Sequence, residues 1–268
     1  MDKRLVNVCE AGNIEAFYAL LEDEPQILDY IDQLPFTRTP LHLAIIARKL
    51  EFAEEIARFN PSYITKLDSF GYNSVHLAAQ FGELEMVRSL LEKLDLKKEF
   101  LRGKENRTPL HIAVISGKIE VVDFLVRNYE AWIMDLTDRN ETVFHLAVKN
   151  KQLGVFLFLL DYLRVVFGSF DENRIGFAND LLNCKDEEGN TILHLAIMMN
   201  QQQVVEALLG SCTNNSKGIL GVDVNSLNRV KSTALDILLQ FPQGKRDSKI
   251  EQILVQAGAK TRANISLP

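Results

Sequence analysis

The chain has 268 residues, 47% of them hydrophobic and 25% charged, which suits a soluble globular fold and excludes a disordered or low-complexity one. A net charge of −6 and a pI near 5.5 argue against nucleic-acid binding by bulk charge. Cys9, Cys184 and Cys212 lie far apart with no Cys-x-x-Cys spacing, which favours a reducing compartment over a disulfide framework.

The N-terminus, MDKRLVNVCEAGNIEAF, lacks the uninterrupted apolar stretch of a secretory signal. The phrase RTPLHLA (38–44) then returns as YNSVHLA (72–78), RTPLHIA (107–113), ETVFHLA (141–147) and NTILHLA (190–196). These phrases hold all five histidines, His42, His76, His111, His145 and His194, spaced 34, 35, 34 and 49 residues apart. A period near 33 marks an array of helical repeats. Three residues before the histidines stand Thr39, Asn73, Thr108, Thr142 and Thr191. Nine residues after the first, second and third stand Glu51, Glu85 and Glu120, followed by apolar helical patterns such as MVRSLL (86–91) and VVDFLV (121–126). Two flanking stretches fit the same register without a histidine. AGNIEAFYALL (11–21) matches the second half of a unit, and STALDILLQ (232–240) carries Asp236 in the histidine's place before IEQILVQAGA (250–259).

The repeated phrase has a physical reading. Threonine is a good N-cap, because its hydroxyl accepts from an orphan N–H at the helix start. Proline suits the next position, where no N–H is needed. The histidine falls at the third helical position, where a capping box places Glu or Gln. Its imidazole can bond the capping residue with one nitrogen and nearby backbone with the other. Gly82, Gly117 and Asn200 suit the left-handed conformation that ends a helix. A zinc site needs ligand atoms about 2.0–2.1 Å from one ion. Equivalent positions in stacked helices lie roughly 10 Å apart, so the five histidines cannot converge on a metal.

The register divides the chain into units at 1–33, 34–67, 68–102, 103–136, 137–185, 186–227 and 228–261, with a tail at 262–268. The first and last are terminal capping repeats with one face toward water. The fifth and sixth are enlarged. In the fifth, VFLFLLDYLRVVFGSF (155–170) is interrupted by Asp161 and Arg164 and falls short of the ~20 residues a membrane span needs, so it reads as a buried helix. Phe156, Leu159, Leu160, Leu163, Val166 and Phe167 share one face, which predicts a helix running past Leu163 toward Phe167 and stopping at Gly168. GSFDENRIGFAND (168–180) reads as a polar connector, and SCTNNSKGILGVD (211–223) in the sixth unit as a loop.

The phrases TPLHLA, Gly-x-x-Glu and QAGA resemble the ankyrin repeat over nearly all of the chain. That resemblance implies an all-α repeat fold, a helix-turn-helix solenoid of about seven units with short β-hairpin-like loops. ITKLDSFGYNSVHLA, DRNETVFHLAV, LLNCKDEEGNTILHLA and NSLNRVKSTALDILLQ, with the enlarged fifth unit, look further like plant ankyrin-transmembrane proteins. In that family a cytosolic ankyrin array precedes C-terminal membrane helices and acts in plant defence, cell-death control and stress signalling. The membrane part is absent from these 268 residues, which end at ISLP, so a cytoplasmic array is expected, at the plasma membrane only through a further C-terminal part.

No Gly-rich phosphate loop, HExxH, GxSxG or DxDxDG motif is present, and no cofactor, metal or enzymatic role is expected. Two functions fit: a protein-interaction module gripping a partner on a concave face of hairpin tips and first helices, or an architectural scaffold. Carrying the ankyrin register over gives the candidate protein-binding residues. They are Phe36, Arg38 and Ile46 in the second unit, and Phe70, Tyr72 and Phe81 in the third. Lys104, Arg107 and Ile115 follow in the fourth, and Arg139 and Lys149 in the fifth. Exposed aromatics and arginine favour interface cores, so the partner expected is a protein or peptide with apolar anchors and acidic residues. The capping assignment is tested by His111→Ala, which should destabilise the fold by ~0.5–2 kcal/mol in denaturant melts. Stoichiometric zinc in the wild type, lost from the variant, would contradict it.

Overall fold

The computed structural model describes residues 1–94, 101–166, 172–210 and 221–265. These form sixteen α-helices and no named strand. In chain order they are α1 (Lys3–Ala11), α2 (Ile14–Asp23), α3 (Asp29–Gln33), α4 (Pro40–Ile46), α5 (Leu50–Phe59), α6 (Ser74–Phe81), α7 (Leu84–Glu92) and α8 (Pro109–Ile115). There follow α9 (Ile119–Asn128), α10 (Val143–Lys149), α11 (Leu153–Val166), α12 (Glu172–Asn183), α13 (Ile192–Met198), α14 (Gln202–Leu209), α15 (Ala234–Gln240) and α16 (Ser248–Gln256). The chain divides into two compact units, Met1–Trp132 and Ile133–Pro268.

Each unit is a stack of helix pairs. In the first, α1, α4, α6 and α8 pack one on the next, and α5, α7 and α9 form a second layer. In the second, α10, α13 and α15 pack in series, backed by α11, α14 and α16. The first helices have about two turns, too short to persist alone. They form because they are buried on nearly every side: in α4, every residue from Pro40 to Ile45 is buried. The alanine two places after each histidine, Ala44, Ala78, Ala113, Ala147 and Ala196, is fully or almost fully buried and leaves room for the neighbouring helix.

All five histidines complete a capping box, accepting the cap residue's N–H at Nδ1. The Thr39 hydroxyl also lies 2.8 Å from His42 Nδ1, and Thr108, Thr142 and Thr191 repeat the contact. Nδ1 is therefore the unprotonated nitrogen, and the proton sits on Nε2. That nitrogen reaches a backbone carbonyl of the next repeat: His42 to Tyr72 (3.1 Å), His76 to Arg107 (2.8 Å), His145 to Asn190 (3.1 Å) and His194 to Ser232 (3.1 Å). Asn73 caps in threonine's place with its Oδ1, and its amide nitrogen is buried without a partner. Asp236 repeats the scheme in the last repeat, taking Thr233 N–H and hydroxyl (both 3.0 Å) and Arg262 N–H (2.9 Å).

The loops between pairs are hairpin-like turns without becoming strands. Asp68 N–H donates to Tyr72 O (2.8 Å), Gly103 to Arg107, Thr137 to Glu141, Asp186 to Asn190 and Asn228 to Ser232. A polar side chain eight residues before the histidine position closes most of these turns. Asp68 Oδ1 accepts Phe70 N–H (2.8 Å) and Tyr72 N–H (3.0 Å), and Asp186 Oδ1 accepts Glu188 N–H (3.1 Å) and Asn190 N–H (2.8 Å). Thr137 does the same for Arg139 and Glu141, and Asn228 for Ser232. Successive turns are joined by Lys104 N–H to Gly71 O (2.9 Å) in the first unit, and by Glu187 to Arg139 (2.9 Å) and Arg229 to Glu188 (3.0 Å) in the second. The approach is close: a Cβ on Gly71, at φ +80°, would meet Lys104 Cβ at 2.7 Å.

The enlarged repeats match the sequence expectation in part. Helix α11 continues past Leu163 to Val166, with Phe156, Leu159, Leu160 and Leu163 buried. Phe167, Gly168, Cys212 and residues 211–220 lie outside the described residues. The reading of 168–180 as a polar connector is corrected from Glu172 on, where Glu172–Asn183 is helical, while 168–171 lie outside the described residues. Ala178, Leu181 and Leu182 bury one face, and that spacing overrides the Asn, Asp and Gly content. Two asparagines on α12 then hold residues 221–223. Gly221 N–H donates to Asn179 Oδ1 (2.6 Å), Asn183 Nδ2 to Gly221 O (2.6 Å), and Asp223 N–H to Asn183 Oδ1 (2.7 Å).

Two measurements follow from these bonds. Burial pushes His42 and His76 down to about 4, and His145 and His194 in the same direction. The unfolded chain takes up these protons near pH 6.5, so their contribution is complete above pH 6.5 and is lost as the pH falls toward 4. At pH 5.5 unfolding should take up close to one proton at each of His42 and His76, read as the buffer dependence of the calorimetric enthalpy; no uptake at that pH would refute the neutral imidazoles. Asp68→Ala, which orphans two turn N–H groups, should cost about 1–3 kcal/mol, whereas Asp68→Asn, which keeps the acceptor, should stay near wild type in the same melts.

Candidate protein-binding face

The turn geometry decides where the candidate residues point. In the first unit the turn closed by Asp68 holds Phe70 outward, 60% exposed, while Tyr72 is half-buried and lies 5.9 Å from the His76 ring. Phe36 is 62% exposed and forms an isolated parallel bridge with Leu67, which sets it beside that turn. The Arg38 guanidinium stands over the Phe70 ring at 5.5 Å, so residues from two consecutive repeats meet in a cation–π pair. Lys104 is exposed on the next turn, its N–H on Gly71 O. At the ends of the first helices, Ile46 is exposed, and Phe81 and Ile115 are half-buried. Phe81 lies beneath Arg48, 6.0 Å from its ring centroid, and Arg48 also reaches Glu83 at 3.3 Å.

The positive charges are less available than the sequence suggests. Arg107 is half-buried and paired with Glu105 at 2.5 Å, and its Nε is buried without a partner. In the second unit Arg139 is exposed and reaches Glu187 at 3.5 Å. Lys149 lies between Glu141 Oε1 (2.8 Å) and Asp186 Oδ2 (3.2 Å), two carboxylates that are almost wholly buried. Burial alone would pull the Lys149 ammonium down, but its bonds to Glu141 and Asp186 outweigh that and raise its pKa. Lys149 thus neutralises buried charge between neighbouring repeats. Arg38 and Lys104 have no ion pair among the described residues.

Sequence reasoning did not single out Arg48, Glu105, Glu141 or the turn-closing Asp68. The turn closers had a signal, since Asp68, Thr137, Asp186 and Asn228 share one offset. The charge partners share no offset: Glu105 is two residues from Arg107, Glu141 eight from Lys149, and Arg48 meets Glu83 of the next repeat. Among the described residues no three His, Cys, Asp or Glu side chains are grouped to hold a metal ion, and no helix is long and apolar enough to cross a membrane. Burial pushes the Cys9 thiol up to about 12, far from a reactive thiolate.

Comparison with known proteins places this arrangement. A family model described as "Ankyrin repeats (3 copies)" matches residues 5–100, 93–171 and 134–219. The Ankyrin repeat-containing protein BDA1 of Arabidopsis thaliana is 33% identical over 266 residues, covering 99% of this chain. The chain spans 59% of that relative's length. The Target of rapamycin complex 2 subunit AVO2 of Saccharomyces cerevisiae is 23% identical over 78% of this chain and 44% of its own. Among solved structures, the ankyrin repeat domain of Bcl-3 superposes with a TM-score of 0.67 at 22% identity, covering 95% of this chain and 98% of that one. The human ASB11 ankyrin repeat domain gives 0.64 at 17% identity, covering 96% and 98%. With its capping boxes, stacked turns and paired helices, the chain belongs to the ankyrin repeat family, a protein–protein interaction fold without catalytic machinery of its own.

Proposed function

We propose that this chain captures a protein or peptide partner on the face formed by its hairpin tips and first helices, and does so in plant defence, cell-death or stress signalling. The observation that carries the reading is the pair of exposed phenylalanines, Phe36 and Phe70, on adjoining repeats, with Arg38 stacked on Phe70 and Lys104 on the next turn. Aromatic rings left in water beside unpaired cations favour a partner with an apolar anchor and nearby carboxylates. Ile46 extends that apolar surface, while Arg107, Arg139 and Lys149 serve more as braces for the turns than as contacts. The signalling role rests on the resemblance to plant ankyrin-transmembrane proteins, supported by the 33% identical Arabidopsis relative whose chain is longer than this one. In that setting the array is cytosolic and reaches the plasma membrane through a C-terminal part. A native reading frame running past Pro268 into apolar segments of ~20 residues supports that attachment, and one without them removes it.

The binding face is tested by Phe70→Ala with Arg38→Glu. A partner captured by the wild-type chain should be lost from the double variant, at an unchanged melting temperature. Undiminished affinity for the folded variant, or a footprint confined to the second helices, would place the site elsewhere.

A further inference from the structure

The last two repeats carry a recess at equivalent turn and first-helix positions, built from residues that play no part in the face proposed above. Its walls are Met198 at the end of α13, Val230 at the tip of the last turn, and Ile237, Phe241 and Pro242 at α15 and its exit, around a volume of about 310 Å³. Met198 is 41% exposed and Val230 75%. Of the polar residues lining it, Asn228 is engaged on both sides of its amide: Asn228 Oδ1 takes Ser232 N–H (3.0 Å) and Asn228 Nδ2 donates to Asn190 Oδ1 (3.0 Å), while Ser232 O accepts from His194 Nε2. Apart from Gln240 and the Ser232 hydroxyl, the rest of the lining is apolar. The exit wall is held in place by Arg246, which donates to Phe241 O (2.7 Å) and to Leu239 O.

Val230, Ser232 and Gln240 form a ridge shared with a second recess, of about 630 Å³, whose lining includes Lys231 and Arg262. The carboxylate there, Asp236, is satisfied by Thr233 and by Arg262 N–H. Lys231 is exposed, and among the described residues Lys231 and the adjacent Arg229 have no ion pair, while the Arg262 charge acts on Asp236 in the same recess. The neighbouring turn carries Glu187 and Glu188, of which Glu187 faces Arg139 at 3.5 Å. On a chain of net charge −6, an apolar recess separated by one ridge from the unpaired Lys231 and from Arg262, two cations against the single Asp236 carboxylate, selects by charge as well as by shape.

We propose that this ridge is a second docking seat, for a partner segment that buries one apolar side chain between Met198 and Phe241 and sets a carboxylate against Lys231 and Arg262. The proposal rests on the reading of the chain as a protein-binding module, but not on the Phe36–Phe70 face. The chain has five methionines, Met1, Met86, Met134, Met198 and Met199, so methyl-labelled methionine makes Met198 a local reporter with the buried Met86 as control. The probes are three short Gly/Ser peptides: one with a leucine followed by two glutamates, one with lysines replacing the glutamates, and one with alanine replacing the leucine. The leucine–glutamate peptide should shift the Met198 methyl signal saturably, and the other two should bind about tenfold more weakly. Lys231→Glu with Arg262→Glu should weaken the first peptide by a similar factor at unchanged melting temperature, as should Val230→Asp if it folds. Phe70→Ala with Arg38→Glu should leave this binding intact. Equal binding of the lysine peptide, no saturable shift at Met198, or loss of binding in the Phe70/Arg38 variant but not in the Lys231/Arg262 variant would overturn the proposal.

Discussion

A neutral imidazole with two fixed jobs is the constraint from which the rest of this structure follows. At Nδ1 it closes the start of its own helix, and at Nε2 it donates to a carbonyl in the turn of the next repeat. One side chain thus settles both a local problem, the orphan groups of a two-turn helix, and a non-local one, the spacing of neighbouring repeats. Glutamate at this third helical position could close the cap but has no donor for the next carbonyl, and lysine has no acceptor. The same two jobs require that the ring stay uncharged, and burial provides this by disfavouring the imidazolium. The last repeat uses aspartate instead. What it meets beyond its own cap is the Arg262 N–H rather than a carbonyl, so an acceptor replaces the donor.

Because the backbone and the histidines hold the repeats together, the side chains at the turn tips are released from stabilising the fold. Phe36, Phe70 and Val230 stand in solvent at positions where a core residue would be wasted. The cations divide into two kinds. Among the described residues Arg107, Arg139 and Lys149 meet carboxylates of the array, while Arg38, Lys104 and Lys231 do not. Lys149 is the clearest brace: two buried carboxylates from different repeats would repel each other without it. The division matters for function, since a cation already paired inside the array offers a partner little net attraction.

Much of this was legible in the sequence because repetition makes a physical rule visible. Thr39, Thr108, Thr142 and Thr191 recur three places before a histidine, and no other arrangement explains that offset as well as a cap. The turn closers Asp68, Thr137, Asp186 and Asn228 were equally periodic, but their chemical variety hid the pattern: what is shared is a side-chain oxygen, not a residue type. Helix α12 was missed because Asn, Asp and Gly suggest a loop, and only the burial of Ala178, Leu181 and Leu182 decides otherwise. The pairing of Lys149 could not be read at all. It depends on Asp186, thirty-seven residues away across an insertion of irregular length.

The central claim is that the histidines are neutral, protonated at Nε2, and bonded to the following repeat. Long-range nitrogen–proton NMR of the imidazoles at neutral pH tests this directly. The account predicts that His42, His76, His145 and His194 each show a single protonated nitrogen, Nε2, whose proton is slow to exchange with water. An Nδ1-protonated tautomer, or an imidazolium, at these positions in the folded protein would contradict it.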